Sequence, residues 1–173
     1  MNIGEIVDSI KKRGADITNI VNVYPVDLLA ILETLKIGCY YAENIENNAD
    51  GKYCRKENHI LINKNKKGNS DQIRMIIAHE LGHYINQHEG QLYKGNEVNY
   101  SVFELQQERE ANDFANELLM PKEKFIEKFK EYKNSEQKDK EEIIVALANF
   151  FFVPIENVKA RAYNIGLIEN LFV

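Results

Sequence analysis

Apolar side chains recur at helical spacing in the first part of the chain. They share one helical face over residues 3–13, and Gly14 follows at the place of a C-cap glycine. Pro25 is expected to begin a second helix, because its fixed φ suits the first helical position and an aliphatic run follows to Leu35. The pattern predicts two N-terminal helices.

The middle of the chain carries two short segments that are typical of strands. They are residues 36–42 and residues 59–63, the second reading HILIN. Asn and Asp side chains before Gly51 predict a turn between them, and the polar residues 64–69 end the second segment. We expect a small sheet made from this region.

The remaining segments are mostly amphipathic helices. Aliphatic residues at intervals of three and four, a capping Asn69 or Ser70 and the breaker Pro121 define most of their ends. The predicted helices cover residues 69–87, 102–120 and 122–132, with two short helices within 140–170 that turn at Val153–Pro154, and a loop or hairpin is expected over 89–100.

These elements predict an α+β fold. A small mixed sheet should pack on the helix of residues 69–87 and on the helix of residues 102–120. We expect residues 1–121 to form the core and residues 122–173 to form a helical C-terminal subdomain packed on it.

Composition narrows the class of protein. The chain has 173 residues, of which 44% are hydrophobic and 28% charged, as in an ordinary globular domain. Neither an apolar run of about 20 residues nor a secretory signal is present, so no membrane association is expected. Cys39 and Cys54 form no metal or disulfide pattern, which favours free thiols and a cytoplasmic location. The net charge of −5 disfavours sequence-independent DNA binding.

The motif His79-Glu80-Leu81-Gly82-His83 indicates a metal site. Two histidines four residues apart lie on one helical face, so both rings can reach a single Zn²⁺. Glu80 lies about 100° round the helix from His79, where its carboxylate can flank a water molecule at the metal and act as general base. The pattern predicts one catalytic Zn²⁺ per chain.

A catalytic zinc needs a third protein ligand. Glu108 is favoured over Glu110, because it lies about 50° from the centre of the apolar stripe of its helix and Glu110 about 110°. The small Ala111 would allow this helix to approach the HExxH helix closely. Asn112, one turn after Glu108, could orient a histidine ring. The other candidates are His59, His88, Glu104, Glu110 and Asp113, and His88 could serve only if the HExxH helix ended before it.

Two further roles are expected but less closely defined. Ile60, Leu61 and Ile62 form a strand that could hold an extended substrate by main-chain hydrogen bonds, if it lies at an edge of the sheet. An ordinary core strand is the other interpretation, and the two are not exclusive. The group that stabilises the oxyanion in the transition state is left open among Tyr93, Tyr100, His88 and Arg109.

The sequence resembles the ImmA/IrrE family of zinc metallopeptidases. The resemblance lies in IRMIIAHELGHYINQH followed by EREANDFANELLMP, with HILIN before them and LANFFFVPIENVKARAYNIGL after, and spans about residues 23–168. It implies a zincin-like fold and a gluzincin-like site with His79, His83 and Glu108 on zinc and Glu80 as catalytic base. It also implies a bacterial, phage or mobile-element protein that cleaves a helix-turn-helix repressor, and so derepresses genes for element transfer or a stress response.

Parts of the sequence bear on other functions, DNA binding and regulator binding without cleavage. Many family members carry an N-terminal DNA-binding domain, whereas only residues 1–22 precede the matching region here, so a stand-alone peptidase domain is expected. Residues 138–170 have a helix-turn-helix appearance but contain four basic and five acidic side chains, so no direct nucleic-acid binding is expected. The alternative is a non-proteolytic, metal-stabilised protein that binds and neutralises a regulator. The intact Glu80 favours the peptidase, because a structural zinc needs no adjacent acid.

Overall fold

Four short strands and seven α-helices make up the fold that a computed structural model describes for residues 1–66, 68, 70–88, 92–93, 102–135 and 139–169. The strands are β1 (Gly38–Ala42), β2 (Gly51–Cys54), β3 (His59–Asn63) and β4 (Leu92–Tyr93). The helices are α1 (Ile3–Lys11), α2 (Leu28–Leu35), α3 (Ser70–Asn86), α4 (Val102–Leu119), α5 (Lys122–Ser135), α6 (Lys140–Phe151) and α7 (Ile155–Asn164).

The strands form one mixed sheet in the order β1-β3-β2-β4. Strand β3 runs parallel to β1 and antiparallel to β2, and β2 runs antiparallel to β4. The predicted α+β class and small mixed sheet are confirmed. Strand β2 was missed, because its first residue, Gly51, is a turn residue by type and only three strand residues follow it.

The substrate role predicted for Ile60, Leu61 and Ile62 is wrong. These residues lie in β3, which is an interior strand paired on both sides: Ile60 is opposite Cys39 of β1 and Tyr53 of β2. Both main-chain edges are therefore occupied, and a peptide cannot add to this strand. Strand β3 is the core strand that was its alternative.

Two boundaries near the N-terminus differ from the prediction. Helix α1 ends at Lys11, and Gly14, with φ +82°, lies in the turn after it. Pro25 does not begin α2. The helix begins three residues later, because the Asp27 side chain accepts a hydrogen bond from the Ala30 N–H and so caps the helix.

Helices α3 and α4 pack against each other at very short distance. A Cβ atom added at Gly82 would lie 2.8 Å from the Cα atom and 2.9 Å from the carbonyl oxygen of Ala111. Both residues are buried at the helix crossing. The close approach expected at Ala111 is confirmed, and the glycine that faces it is part of the HExxH motif.

The C-terminal helices join the same core as the N-terminal ones. One cluster of buried side chains extends from Ile6 to Ile168 and includes Phe125 of α5 and Leu147 of α6. The guanidinium of Arg161 in α7 also donates to the carbonyl oxygen of Met120. The division of the chain at residue 121 stays a prediction.

The predicted turn at Val153–Pro154 separates α6 from α7. No single helix in the described part of the chain is long and apolar enough to cross a bilayer. Helices α6 and α7 would pass that test only as a pair, and they meet at 110°.

Candidate metal centre

The two histidines of the HExxH motif converge inside the protein. His79 and His83 are one turn apart on the buried face of α3, and their Nε2 atoms are 2.9 Å apart. Two unprotonated ring nitrogens at this distance repel each other, so the pair requires either a shared proton or a cation beside it.

Glu108 completes the group from α4. Its Oε2 atom lies 3.2 Å from His79 Nε2, and its Oε1 atom lies 3.5 Å from His83 Nε2. The residue is only 8% exposed, and Oε1 has no hydrogen-bond partner among the described residues. The ligand atoms of the three residues lie within 4.8 Å of one another, so this group could hold a metal ion.

The chemistry of these donors fits zinc. Two imidazole nitrogens and one carboxylate are the protein ligands of one well-known class of catalytic zinc site. The unpartnered Oε1 atom of Glu108 and the facing nitrogens of His79 and His83 are the kind of buried acceptors that a divalent cation satisfies. The residues present therefore fit this metal.

The other predicted third ligands do not belong to this group, although His88 contacts His83 on the side of Nδ1. In the described part of the chain only Glu108 joins the histidine pair. The side chain of Glu110 is 45% exposed and points to His88 instead. His59 stands at the start of β3 with its ring edge-on to Tyr40, and Glu104 and Asp113 lie on α4 outside the group. The hydrogen bond from Gln106, and to a smaller extent the one from His88, lowers the pKa of Glu110.

Glu80 lies beside this group, fully buried, and is held by the sheet. Its Oε2 atom accepts a 2.7 Å hydrogen bond from the Tyr53 N–H of β2, whereas Oε1 has no hydrogen-bond partner among the described residues. Gly51 makes room for it, because a Cβ atom there would lie 3.0 Å from Oε1 and 2.5 Å from Ile76 Cγ2. Glu80 therefore has one fixed oxygen and one open one.

Burial shifts the pKa values of Glu80 and His83 in opposite directions. It raises the pKa of Glu80 to about 7, with Glu108 adding to the rise and His79 and the Tyr53 N–H opposing it. It lowers the pKa of His83 to about 2, helped by the neighbouring rings of His79 and His88. Without a metal, His83 is neutral at neutral pH, and Glu80 binds a proton far more readily than an exposed carboxylate does.

Each histidine of the pair has a different partner at Nδ1. His79 Nδ1 lies 3.0 Å from Asn112 Oδ1, and His83 Nδ1 lies 2.9 Å from His88 Nδ1. Asn112 thus stands where a residue that orients a histidine ring was expected. His88 reaches His83 because α3 ends at Asn86, before the helix can carry His88 round to the opposite side.

Of the four residues that could stabilise the oxyanion, the structure describes the side chains of His88 and Arg109. The His88 ring is engaged with His83 and Glu110, and Arg109 is exposed on α4. The side chain of Tyr93 and the whole of Tyr100 lie outside the described residues. The role stays unassigned.

Two residues that position Glu80, Tyr53 and Gly51, were not predicted from the sequence. Tyr53 acts through its backbone N–H, which any non-proline residue has, so no side-chain pattern could reveal it. Gly51 was interpreted as a turn residue, although its packing against Glu80 and Ile76 is what requires a glycine. A glycine placed among strand residues was the one available signal for such a close approach.

Comparisons with known proteins give the family. The family model of the IrrE N-terminal-like domain, peptidase family M78, matches residues 41–163. No curated protein matches the chain. A solved structure described as a Mycobacterium tuberculosis transcriptional regulator is similar in fold, with a TM-score of 0.54 and 18% identity. The match covers 80% of this chain but only 40% of that one, so the chain spans less than half of its length. On the family match, this chain belongs to the ImmA/IrrE family of metallopeptidases.

Proposed function

We propose that this protein is a zinc-dependent endopeptidase that cleaves a helix-turn-helix transcriptional repressor. The observation that carries the catalytic part is the buried group of His79, His83 and Glu108 beside a glutamate with one open carboxylate oxygen. The family match supports peptide-bond hydrolysis as the type of reaction.

His79 and His83 would hold the zinc through Nε2, and Glu108 would hold it through its carboxylate. Zinc bound there supplies a Lewis acid that polarises a peptide carbonyl and lowers the pKa of water to about 7. Asn112 accepts a hydrogen bond from the Nδ1–H of His79, which leaves the Nε2 lone pair of that ring free for the metal.

Glu80 serves as the general base and then as the general acid. The Tyr53 N–H fixes Oε2, so Oε1 is the atom available to take a proton from the attacking water. The same atom can then pass that proton to the leaving amine. Its adjacency to His79 along α3 and its complete burial keep it at the metal centre and away from bulk water.

The choice of substrate rests on family and fold. The family resemblance implies a repressor that is cleaved to derepress genes of a mobile element, a phage or a stress response. The solved structure of similar fold is itself described as a transcriptional regulator. A substrate of this kind places the protein in a bacterial regulatory circuit.

The test compares zinc-loaded wild type with Glu80→Gln on a proteome-derived peptide library, read by mass spectrometry, and on a panel of purified helix-turn-helix repressors from the source genome. We expect wild type to generate new peptide termini and to cut one repressor. Glu80→Gln should bind zinc equally but cleave at least about 100-fold more slowly. The exposed Glu141→Gln is the matched control and should cleave like wild type.

The alternative is a metal-stabilised protein that neutralises a regulator without cutting it. The same variant separates the two functions in a reporter strain that carries the repressor. If Glu80→Gln relieves repression as fully as wild type, the peptidase function is wrong and the binding function stands.

A further inference from the structure

A chain of side-chain hydrogen bonds leads from the metal centre to the protein surface. His83 Nδ1 lies 2.9 Å from His88 Nδ1, and His88 Nε2 lies 3.0 Å from Glu110 Oε2. The amide of Gln106 then donates to Glu110 Oε1 at 2.9 Å. His88 is 6% exposed, whereas the Glu110 side chain is 45% exposed, so the chain runs from the interior to solvent.

The sequence after α3 brings His88 back onto the helix. Gln87 has a left-handed φ of +59°, and the His88 N–H donates to the carbonyl oxygen of His83 at 3.0 Å. This reversal places the His88 ring edge-on to the His83 ring, with their centroids 5.1 Å apart. The contact is thus fixed by the backbone as well as by the side chains.

The ring nitrogens allow only one direction for this chain. If His83 presents Nε2 to a metal, its proton must be on Nδ1, and His88 Nδ1 must accept it. His88 then carries its own proton on Nε2 and donates it to the Glu110 carboxylate. Every donor meets an acceptor, and the lone pair of His83 Nε2 is left free.

We propose that His88 and Glu110 are positioning residues that lock the His83 ring in its metal-binding orientation and tautomer. This inference rests on the proposed function, since it takes His83 as a ligand. Neither residue is a metal ligand in this inference. The acceptor for His83 is a ring nitrogen of His88, whereas the acceptor for His79 is the amide oxygen of Asn112. Removal of such partners typically costs about 10- to 100-fold in metal affinity.

The experiment measures the affinity for Zn²⁺ alone by competition with a chromophoric chelator, and the absorption spectrum of the Co²⁺-substituted protein. His88→Phe keeps a ring but loses both nitrogens, and should weaken zinc binding about 10- to 100-fold and shift the Co²⁺ bands. His88→Asn, which can still accept from His83 Nδ1, should recover part of the loss. Glu110→Ala should weaken binding less than His88→Phe, because solvent can replace an exposed carboxylate.

Asp113→Ala is the matched control, since Asp113 is an exposed acid one turn further along α4. It should bind zinc like wild type. Folded His88→Phe and Glu110→Ala variants that both bind within about twofold of wild type would overturn the inference. If His88→Phe does not fold, as judged by circular dichroism, Glu110→Ala decides alone.

Glu108→Ala separates this inference from the proposed ligand set. If it loses zinc while His88→Phe and Glu110→Ala keep wild-type affinity, only the positioning role is wrong. If Glu108→Ala binds zinc as tightly as wild type, the ligand set itself is wrong.

Discussion

The backbone N–H of Tyr53 in β2 donates a 2.7 Å hydrogen bond to Glu80 Oε2 in α3. This contact links the sheet to the helix of the HExxH motif and leaves Glu80 Oε1 as the only unpartnered oxygen of the carboxylate among the described residues. The sheet therefore positions the carboxylate of Glu80, the proposed general base, through a strand that the sequence pattern did not reveal.

The buried carboxylate of Glu80 should destabilise the metal-free protein above neutral pH. The pKa of Glu80 is about 7 in the folded protein and about 4.5 in the unfolded chain. The free energy of unfolding therefore falls as pH rises from 4.5 through 7, because the buried carboxyl loses its proton less readily than the exposed one. Glu80→Gln keeps an oxygen for the Tyr53 N–H but carries no charge. In the presence of EDTA at pH 8, the free energy of unfolding of Glu80→Gln should be about 3 kcal/mol higher than that of wild type.

Urea unfolding at a series of pH values tests this prediction. The difference between Glu80→Gln and wild type should shrink as pH falls and approach zero well below pH 4.5, where the folded and unfolded states of the wild type are both protonated. Glu141→Gln, at an exposed position of α6, should show no comparable trend. A Glu80→Gln variant no more stable than wild type at pH 8 would contradict the burial argument.

The hydrogen bond between Asn112 and His79 should contribute to metal affinity. Asn112→Leu removes the acceptor 3.0 Å from His79 Nδ1 and should weaken zinc binding about 10-fold, whereas Asn112→Asp keeps an acceptor and should retain it. Chelator competition measures both. Asn116→Ala, one turn further along α4, is the control, and equal affinities for Asn112→Leu and wild type would refute the role.

The close helix crossing should not tolerate a side chain at Gly82. An added Cβ atom would lie 2.8 Å from Ala111 Cα, and these backbone atoms can yield only if the helices separate. Gly82→Ala should lower the free energy of unfolding by about 1–2 kcal/mol, after subtraction of the gain in helix propensity. It should also weaken zinc binding, because the ligands of α3 and α4 move apart.

Gly4→Ala in α1 is the matched control for this prediction. Its Cβ atom would meet only the tip of the Asn2 side chain, at 3.2 Å. Thermal unfolding should show little or no loss of stability for Gly4→Ala. Equal stabilities of Gly82→Ala and wild type would show that the crossing is not as rigid as described.

A buried ion pair should hold the C-terminal helices to the core. The Arg161 guanidinium contacts the Glu117 carboxylate and donates to the carbonyl oxygen of Met120, with the Arg161 and Glu117 side chains only 13% and 8% exposed. Arg161→Met should cost about 3–5 kcal/mol, because it leaves Glu117 buried and unpaired. Arg161→Met combined with Glu117→Met should recover much of that loss in urea unfolding. Glu127→Gln, which breaks the exposed pair with Lys124, should have little effect.

The helices of the metal centre were predictable because their signals are local. The HExxH spacing places His79 and His83 on one face whatever surrounds them, and the apolar stripe of α4 turns Glu108 inward and Glu110 outward. The direction of Glu108 in the structure follows from this geometry. Its role as a ligand stays part of the proposal.

The features that depend on tertiary contacts were not predictable in the same way. The interior place of β3 follows from pairing with β2, a four-residue strand hidden behind a turn pattern. The partner of His83 follows from the left-handed turn at Gln87, a conformation that a non-glycine residue adopts rarely. Helix α2 begins later than predicted because the side chain of Asp27 caps it, and Pro25 lies two residues before that cap.

The zinc content per chain is the first measurement to make on the proposed site of His79, His83 and Glu108. Untagged wild type, Glu108→Ala and Glu110→Ala would be loaded with excess Zn²⁺, dialysed gently against metal-free buffer and analysed for metal by mass spectrometry. We expect about one zinc per chain in wild type, as a site with three protein ligands implies. Glu108→Ala should lose that zinc, and Glu110→Ala should still reach one zinc at saturation. A wild-type chain without zinc, or a Glu108→Ala variant that keeps it, would show that His79, His83 and Glu108 do not form the proposed zinc site.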